Sequence, residues 1–313
     1  MTAPTMIEHS DLSSSDQGSI RIAPEGNAGE VPVQRNPGGD ERRQRSQGRV
    51  RLVVERMDNG ETRVRDLAES GPLRIRLPRQ TGKTCEAVLL NTAGGLACGD
   101  HFAIEAHLGP GADLVLTTTA AEKIYRSDGP VSRIETRIAL EAGARLCVLP
   151  QETILFDQAM LRRRFTADLA GNARLLAFEA VAFGRAARAE RIESGLFEET
   201  WRIRREGRLV YADTLRLEGA LSDHLARATL GGGARAMATL IDVAPEAEGR
   251  LEAMRALIEG SDAGAARVEA AASAWNGRLI ARFLSPDPDA LRRTAAQVLT
   301  GYRGVALPRV WQG

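Results

Sequence analysis

A seven-residue pattern recurs three times in the middle of the chain. Leu108-Gly109-Pro110-Gly111-Ala112-Asp113-Leu114 is followed by Leu140-Glu141-Ala142-Gly143-Ala144-Arg145-Leu146 and then by Leu169-Ala170-Gly171-Asn172-Ala173-Arg174-Leu175. The leading leucines are 140 − 108 = 32 and 169 − 140 = 29 residues apart. An alternating segment precedes each copy: Phe102, Ile104, Ala106; then Ile134, Thr136, Ile138; then Phe165, Ala167. An apolar run follows each: Leu114-Val115-Leu116, Leu146-Cys147-Val148-Leu149 and Leu175-Leu176-Ala177-Phe178. Strand, turn, strand reads as a hairpin, and three in series at a similar period predict stacked, solenoid-like sheets. The competing reading is that any long antiparallel protein produces leucine-flanked turns.

The flanks fit a mainly β chain. Val50, Leu52 and Val54 alternate with charge, as do Leu73, Ile75 and Leu77, with Asp58-Asn59-Gly60 as a turn between them. Trp201 to Leu217 reads as a hairpin turning at Glu206-Gly207, and Arg278 to Leu284 as one further strand. Two α-helices are expected late: one across Pro245 to Glu259 that stops at Gly260, and one capped by Ser285 with Pro286 at its first position. No P-loop or Rossmann glycine fingerprint joins a strand to a helix, so the common nucleotide-binding folds are unsupported.

Composition narrows the function classes. With 42 Lys plus Arg against 41 Asp plus Glu, the net charge of +1 gives no electrostatic case for nucleic acid or an anionic membrane. Hydrophobic residues at 43% and charged ones at 27% fit a soluble globular protein. The three cysteines, Cys85, Cys98 and Cys147, form neither a disulfide framework nor a CxxC zinc pair. No secretory signal or membrane-length apolar run is visible, so a cytoplasmic location is expected. Residues 1–47 are rich in Ser, Pro, Gly and charge and read as a mobile tail, leaving 48–313 as a single β-rich domain.

Four segments could carry chemistry. Asn91 to His101 holds three glycines and ends in Cys98, Asp100 and His101, a thiolate, a carboxylate and an imidazole suited to nickel or zinc. The alternative is a tight loop with a capping aspartate, and a further one is an enzyme using Asp100 and His101 as an acid–base pair. Thr117 to Ser127 carries Lys123 and Tyr125 on one strand face, fit for acid–base work or simply exposed. Pro150 to Asp157 holds Gln151 and Glu152, and Phe178 to Arg185 holds Glu179. Counted four residues on from the repeat leucines, Thr118, Pro150 and Glu179 would line up at one strand end, with Glu152 close by. Such oxygens could line a cation path, or the glutamates could be salt-bridged.

At these segments the chain resembles the urease accessory protein UreD (UreH) family. The matching stretches are Asn91 to Leu96 through Gly99-Asp100; Thr117 to Ser127; Leu149 to Phe156; and Leu175 to Glu179 through Gly184-Arg185. They occur in the family's order, within a likeness running from about Val50 to Arg309, although Cys98 stands where the family usually has glycine. The resemblance implies a β-helical stack of mostly antiparallel strands with two accessory helices. It implies a non-catalytic chaperone that binds apo-urease and UreF, and UreG through UreF, with no permanently bound cofactor and nickel only in transit. On it, Asp100, Glu152, Glu179 and Cys98 would serve a nickel path, while Thr118, Lys123, Tyr125, Arg126 and Gln151 would form the passage wall or a partner surface. A β-solenoid scaffold with no metal role is the other alternative.

Overall fold

The structure, a computed structural model, describes residues 45–312 except 81, 262, 265 and 266. Most of the expected tail therefore lies outside the described residues, and the ordered fold is already under way at Gln47.

Each copy of the repeat is a corner at which the chain passes from one sheet to another. In the first coil β5 (His101–Leu108) belongs to a seven-stranded sheet, and β6 (Asp113–Thr118) to a ten-stranded sheet facing it. The next coil repeats this with β8 (Ser132–Leu140) and β9 (Arg145–Leu149), and the third with β11 (Met160–Leu169) and β12 (Arg174–Phe183). Leu108, Leu140 and Leu169 stand in register in the first sheet, and Leu114, Leu146 and Leu175 in the second. The expectation of hairpins is corrected here: strands joined by a repeat turn do not pair with each other, and successive coils pair in parallel. The turns bond vertically instead, with the amides of Gly111, Glu141, Arg145, Ala170 and Arg174 each donating to a carbonyl of the neighbouring coil. Gly111 and Gly143 adopt positive φ (64° and 71°), which lets each corner close without a Cβ penalty.

Antiparallel pairing is confined to the ends of the stack. At one end, β1 (Gln47–Arg56) runs parallel to β5 and turns back into β2 (Thr62–Ser70). There β3 (Leu73–Arg76) pairs antiparallel with β4 (Cys85–Asn91), which runs parallel to β6. At the other end, β13 (Leu196–Arg205) turns at Glu206-Gly207 into β14 (Arg208–Glu218), both turn residues having positive φ. The second sheet continues through β15 (Ala236–Val243), β17 (Arg278–Ser285) and β16 (Glu269–Trp275), all antiparallel. Two short strands, β7 (Glu122–Ile124) and β10 (Thr153–Leu155), join the second sheet on the β9 side of β12, with β10 along the last residues of β12 and β7 beside β10.

The chain is thus mostly strand, a β-solenoid-like stack whose helices come late. They are α1 (Leu221–Ala226), α2 (Leu251–Glu259) and α3 (Pro288–Arg303). The α3 cap lies two residues beyond the expected Ser285: Asp287 accepts from the amides of Asp289 and Ala290, and Pro288 opens the helix. Both candidates precede a proline, and the choice falls to Asp287 because Ser285 is still in β17.

These layers give two cores. The first, between the sheets, holds the repeat leucines together with Phe102, Phe165 and Trp201. The second lies between the outer face of the ten-stranded sheet and α2 and α3, and holds Phe178, Leu240, Phe283, Leu291 and Leu299. Both faces of β12 are therefore covered, so its sequence runs almost continuously apolar. The seven-stranded sheet leaves its outer face in water, and β5 and β11 alternate accordingly.

Candidate functional site

The four singled-out segments meet at the end of the stack opposite the repeat turns. In the glycine-rich segment, the Leu96 amide donates to the Lys123 carbonyl at 2.8 Å and the Tyr125 amide to the Leu96 carbonyl at 2.8 Å. Gly95 makes this approach possible, since a Cβ there would stand 2.4 Å from the Tyr125 ring and 2.6 Å from the Lys123 carbonyl oxygen. The second segment, β7, lies beside β10 of the third, which lies beside β12 of the fourth.

Period-two alternation sorts the side chains of β7. Lys123 and Tyr125 point to solvent, with the Tyr125 ring edge-on to Phe156 and its hydroxyl donating to the Gly94 carbonyl. Glu122 and Ile124 point inward. Glu122 faces a cavity of about 80 Å³ between the sheets, lined also by Thr118, Gln151, Thr153, Arg163 and Glu179. Asn91 reaches from the glycine-rich segment to bind a Glu122 carboxylate oxygen at 2.9 Å. Burial pushes the Glu122 carboxyl up to about 7, against the opposing pull of that Asn91 bond.

Arg163 supplies the charge on the facing wall. It sits on β11, directly across from Glu199 on β13, and its Nε donates to Glu199 at 2.7 Å. Its Nη1 crosses to the other sheet, 2.7 Å from a Glu179 oxygen and 2.9 Å from the Thr153 hydroxyl. The Arg163 and Glu179 side chains are only 6% and 12% exposed. Glu179 is raised to about 7, first by burial, with Arg163 holding it down and the Glu199 charge adding to the rise. One guanidinium therefore serves two buried carboxylates, with a third lining the same cavity.

The structure distributes the remaining candidates around this centre. Thr118, Gln151 and Glu179 line the cavity. Glu152 lies on the other side of the sheet, under α3, with Arg292 3.6 Å away. Gln151 is also tied to that side, accepting from Arg292 at 3.0 Å and donating to the Val310 carbonyl. Asp100 caps its own loop: one oxygen accepts from the Ser46 amide at 2.7 Å and the other from the Ala97 amide at 2.9 Å. Cys98 has φ of 46°, with its sulfur 3.8 Å from the Arg126 carbonyl oxygen, and Arg126 is exposed. His101 faces Glu135 at 3.8 Å, so the Asp100/His101 acid–base pair is not formed. Among the described residues no group of three or more His, Cys, Asp or Glu side chains is placed to hold a metal ion.

Sequence reasoning missed Glu122 and Arg163. The signal for Glu122 was present, because placing Lys123 and Tyr125 on one face puts Glu122 with Ile124 on the other. For Arg163, the Arg162-Arg163-Arg164 run hid which residue points inward until the strand phase was known.

Known proteins match the sequence of this chain over most of its length. The family described as UreD urease accessory protein matches residues 46–312. The chain belongs to the UreD urease accessory protein family. It is 59% identical over 271 residues to the urease accessory protein UreD of Methylobacterium sp. (strain 4-46), covering 87% of this chain and 96% of that one. It is 62% identical to UreD 1 of Methylobacterium radiotolerans, covering 86% and 93%, and 43% identical to UreD of Rhizobium johnstonii, covering 86% and 96%. The family's role is accessory rather than catalytic. Among the described residues no helix is long and apolar enough to cross a membrane.

Proposed function

We propose that the chain is a urease maturation chaperone that engages apo-urease and, together with UreF and UreG, assists delivery of nickel to the urease active site in the cytoplasm. The observation that carries this reading is the meeting of four separate segments around one interior cavity lined by Glu122, Arg163 and Glu179. A largely apolar hollow carrying a few carboxylate and hydroxyl oxygens and no His/Cys cage suits a cation in transit, because a closed site of soft ligands would retain nickel. Nickel is cargo on this reading, and the isolated chain binds it weakly. Glu179 is an interior oxygen of the path, Asp100 acts by shaping the glycine-rich loop, and exposed Lys123, Tyr125 and Arg126 belong to a surface for a partner.

The test is urease-bound nickel and urease activity in a host lacking only this gene, with the gene re-supplied as wild type or as Glu179→Ala. Nickel-poor, inactive urease rescued by wild type and poorly by the variant is the expected result. Normal nickel loading in the deletion host overturns the maturation role. Full rescue by a folded Glu179→Ala chain removes Glu179 from the path.

A further inference from the structure

The two sheets do not end together. β14 closes the seven-stranded sheet and lies across from β17, where Asp213 Oδ2 accepts from Arg282 at 2.6 Å. The ten-stranded sheet runs one strand further, to β16, and among the described residues no strand of the first sheet stands opposite it. Ala270, Ala272 and Ala274 of β16 pack toward the helices. Glu269, Ala271, Ser273 and Trp275 face the side that the first sheet leaves uncovered, and they are exposed. Ile280, paired with Ser273 on the neighbouring β17, is only 6% exposed. A cleft of about 440 Å³ opens between the β14 edge and this bare face, lined by Tyr211, Asp213, Ala271, Ser273, Trp275 and Arg282. End strands at the opposite end of the stack are guarded by charge, with Arg63, Arg65, Asp66 and Glu69 on β2 and Arg74 and Arg76 on β3. This end is not: β16 carries no charge after Glu269, and β14 from Leu209 to Leu215 carries only Asp213, which Arg282 neutralises.

We propose that this end of the stack docks a second copy of the chain, the β16 of each copy filling the strand position missing from the first sheet of the other. The overhang is one strand wide and so is the gap beside it. Turning a second copy about an axis parallel to the strands and midway between the sheets exchanges the two layers and seats both overhangs in both gaps. The strand senses agree. The corners reverse the chain between sheets, β14 is antiparallel to β13, and β15, β17 and β16 alternate, so β14 and β16 run in opposite directions. Such an axis preserves direction, and β16 of one copy therefore meets β14 of the other antiparallel, the more stable pairing. The two bare faces then lie against each other, with small side chains at Ala271 and Ser273 and with Trp275, 39% exposed in the single chain, covered. Joining two copies through β14 alone fails, because β14 brings its facing β17 into the space that β16 of the first copy already holds. A lone peptide strand beside β14 leaves the β16 edge unpaired, whereas a second copy pairs both edges at once.

The experiment is size exclusion with light scattering on the purified full-length chain over a wide range of concentration, as wild type, Ala271→Lys, Ser273→Lys and Ala68→Lys. Wild type is expected to rise from 33.8 kDa toward twice that mass as concentration increases. Ala271 and Ser273 are exposed in the single chain, so both lysine variants should keep its far-ultraviolet circular dichroism. Both are expected to stay at the monomer mass, because the dimer would bury two ammonium groups face to face. Ala68→Lys, exposed on β2 at the opposite end, is expected to dimerise as wild type does. A wild-type chain that stays at 33.8 kDa throughout overturns the pairing and leaves the gap to a strand of a different protein. A dimer that survives both Ala271→Lys and Ser273→Lys overturns it equally, since its contact lies elsewhere. The pairing involves neither nickel nor the interior cavity, so this experiment and the deletion-host experiment fail independently.

Discussion

The two ends of the same three coils are built on opposite principles. At the repeat corners each coil contributes a buried leucine, a buried alanine and another buried leucine in register, and the interior there is apolar. At the other end the coils diverge in length and shape, and the interior holds Glu122, Arg163, Glu179 and a cavity. Regularity serves packing, because identical small corners can stack amide to carbonyl. Irregularity places charged groups from different coils against one another, at a cost in desolvation that the apolar end offsets.

Breaking the polar end is the largest expected effect. Arg163→Ala leaves Glu179 and Glu199 facing each other without a counter-charge and should lower unfolding stability by about 4 kcal/mol in urea denaturation near pH 8. A loss below about 1 kcal/mol would mean that water already screens the cluster. Leu146→Ala, at the centre of the corner ladder and 1% exposed, should cost about 3 kcal/mol by opening a cavity that neighbouring coils cannot fill.

The sign reverses at Glu122. Its carboxyl ordinarily titrates near 4.5 and is raised to about 7 in the fold, so between those values the folded chain holds more protons than the unfolded one. Stability conferred by the neutral acid is therefore lost as pH rises through that window. Glu122→Gln should stabilise the chain near pH 8 by about 2 kcal/mol, below the full linkage value because water reaches the cavity. It should make no difference near pH 4, and equal effects at both pH values would place the charge elsewhere. The smallest effect belongs to the corners: Gly143→Ala forces a side chain onto a φ of 71° and should cost about 1 kcal/mol, read as a fall in melting temperature.

Much of the fold was legible because it depends on neighbours in sequence. Period-two alternation located β1, β5, β8 and β11, and Glu206-Gly207 was read as the turn it is. The strand Thr62–Ser70 was not read, since its exposed edge position leaves almost no apolar alternation. Of the candidate site, the segments were found but their inner residues only partly. Glu179 and Thr118 were placed by counting from the repeat leucines, which works because the leucines are in register. Counting could not show that Glu152, two residues beyond Pro150, has moved to the helix side of the sheet.

The sequence by itself determined where the chain turns, which faces of its strands are apolar, and which segments are unlike the repeat. Only the tertiary structure decided that the corners stack in parallel rather than fold back as hairpins, since the same residues close either kind of turn. It alone paired Arg163 with Glu179 on one sheet and Glu199 on another strand, partners 16 and 36 residues away. With coils of 32 and 29 residues, no fixed spacing connects a side chain to its neighbour one level up or across the core. Those contacts are set by how each coil spends its extra residues, a property of packing that local pattern does not encode.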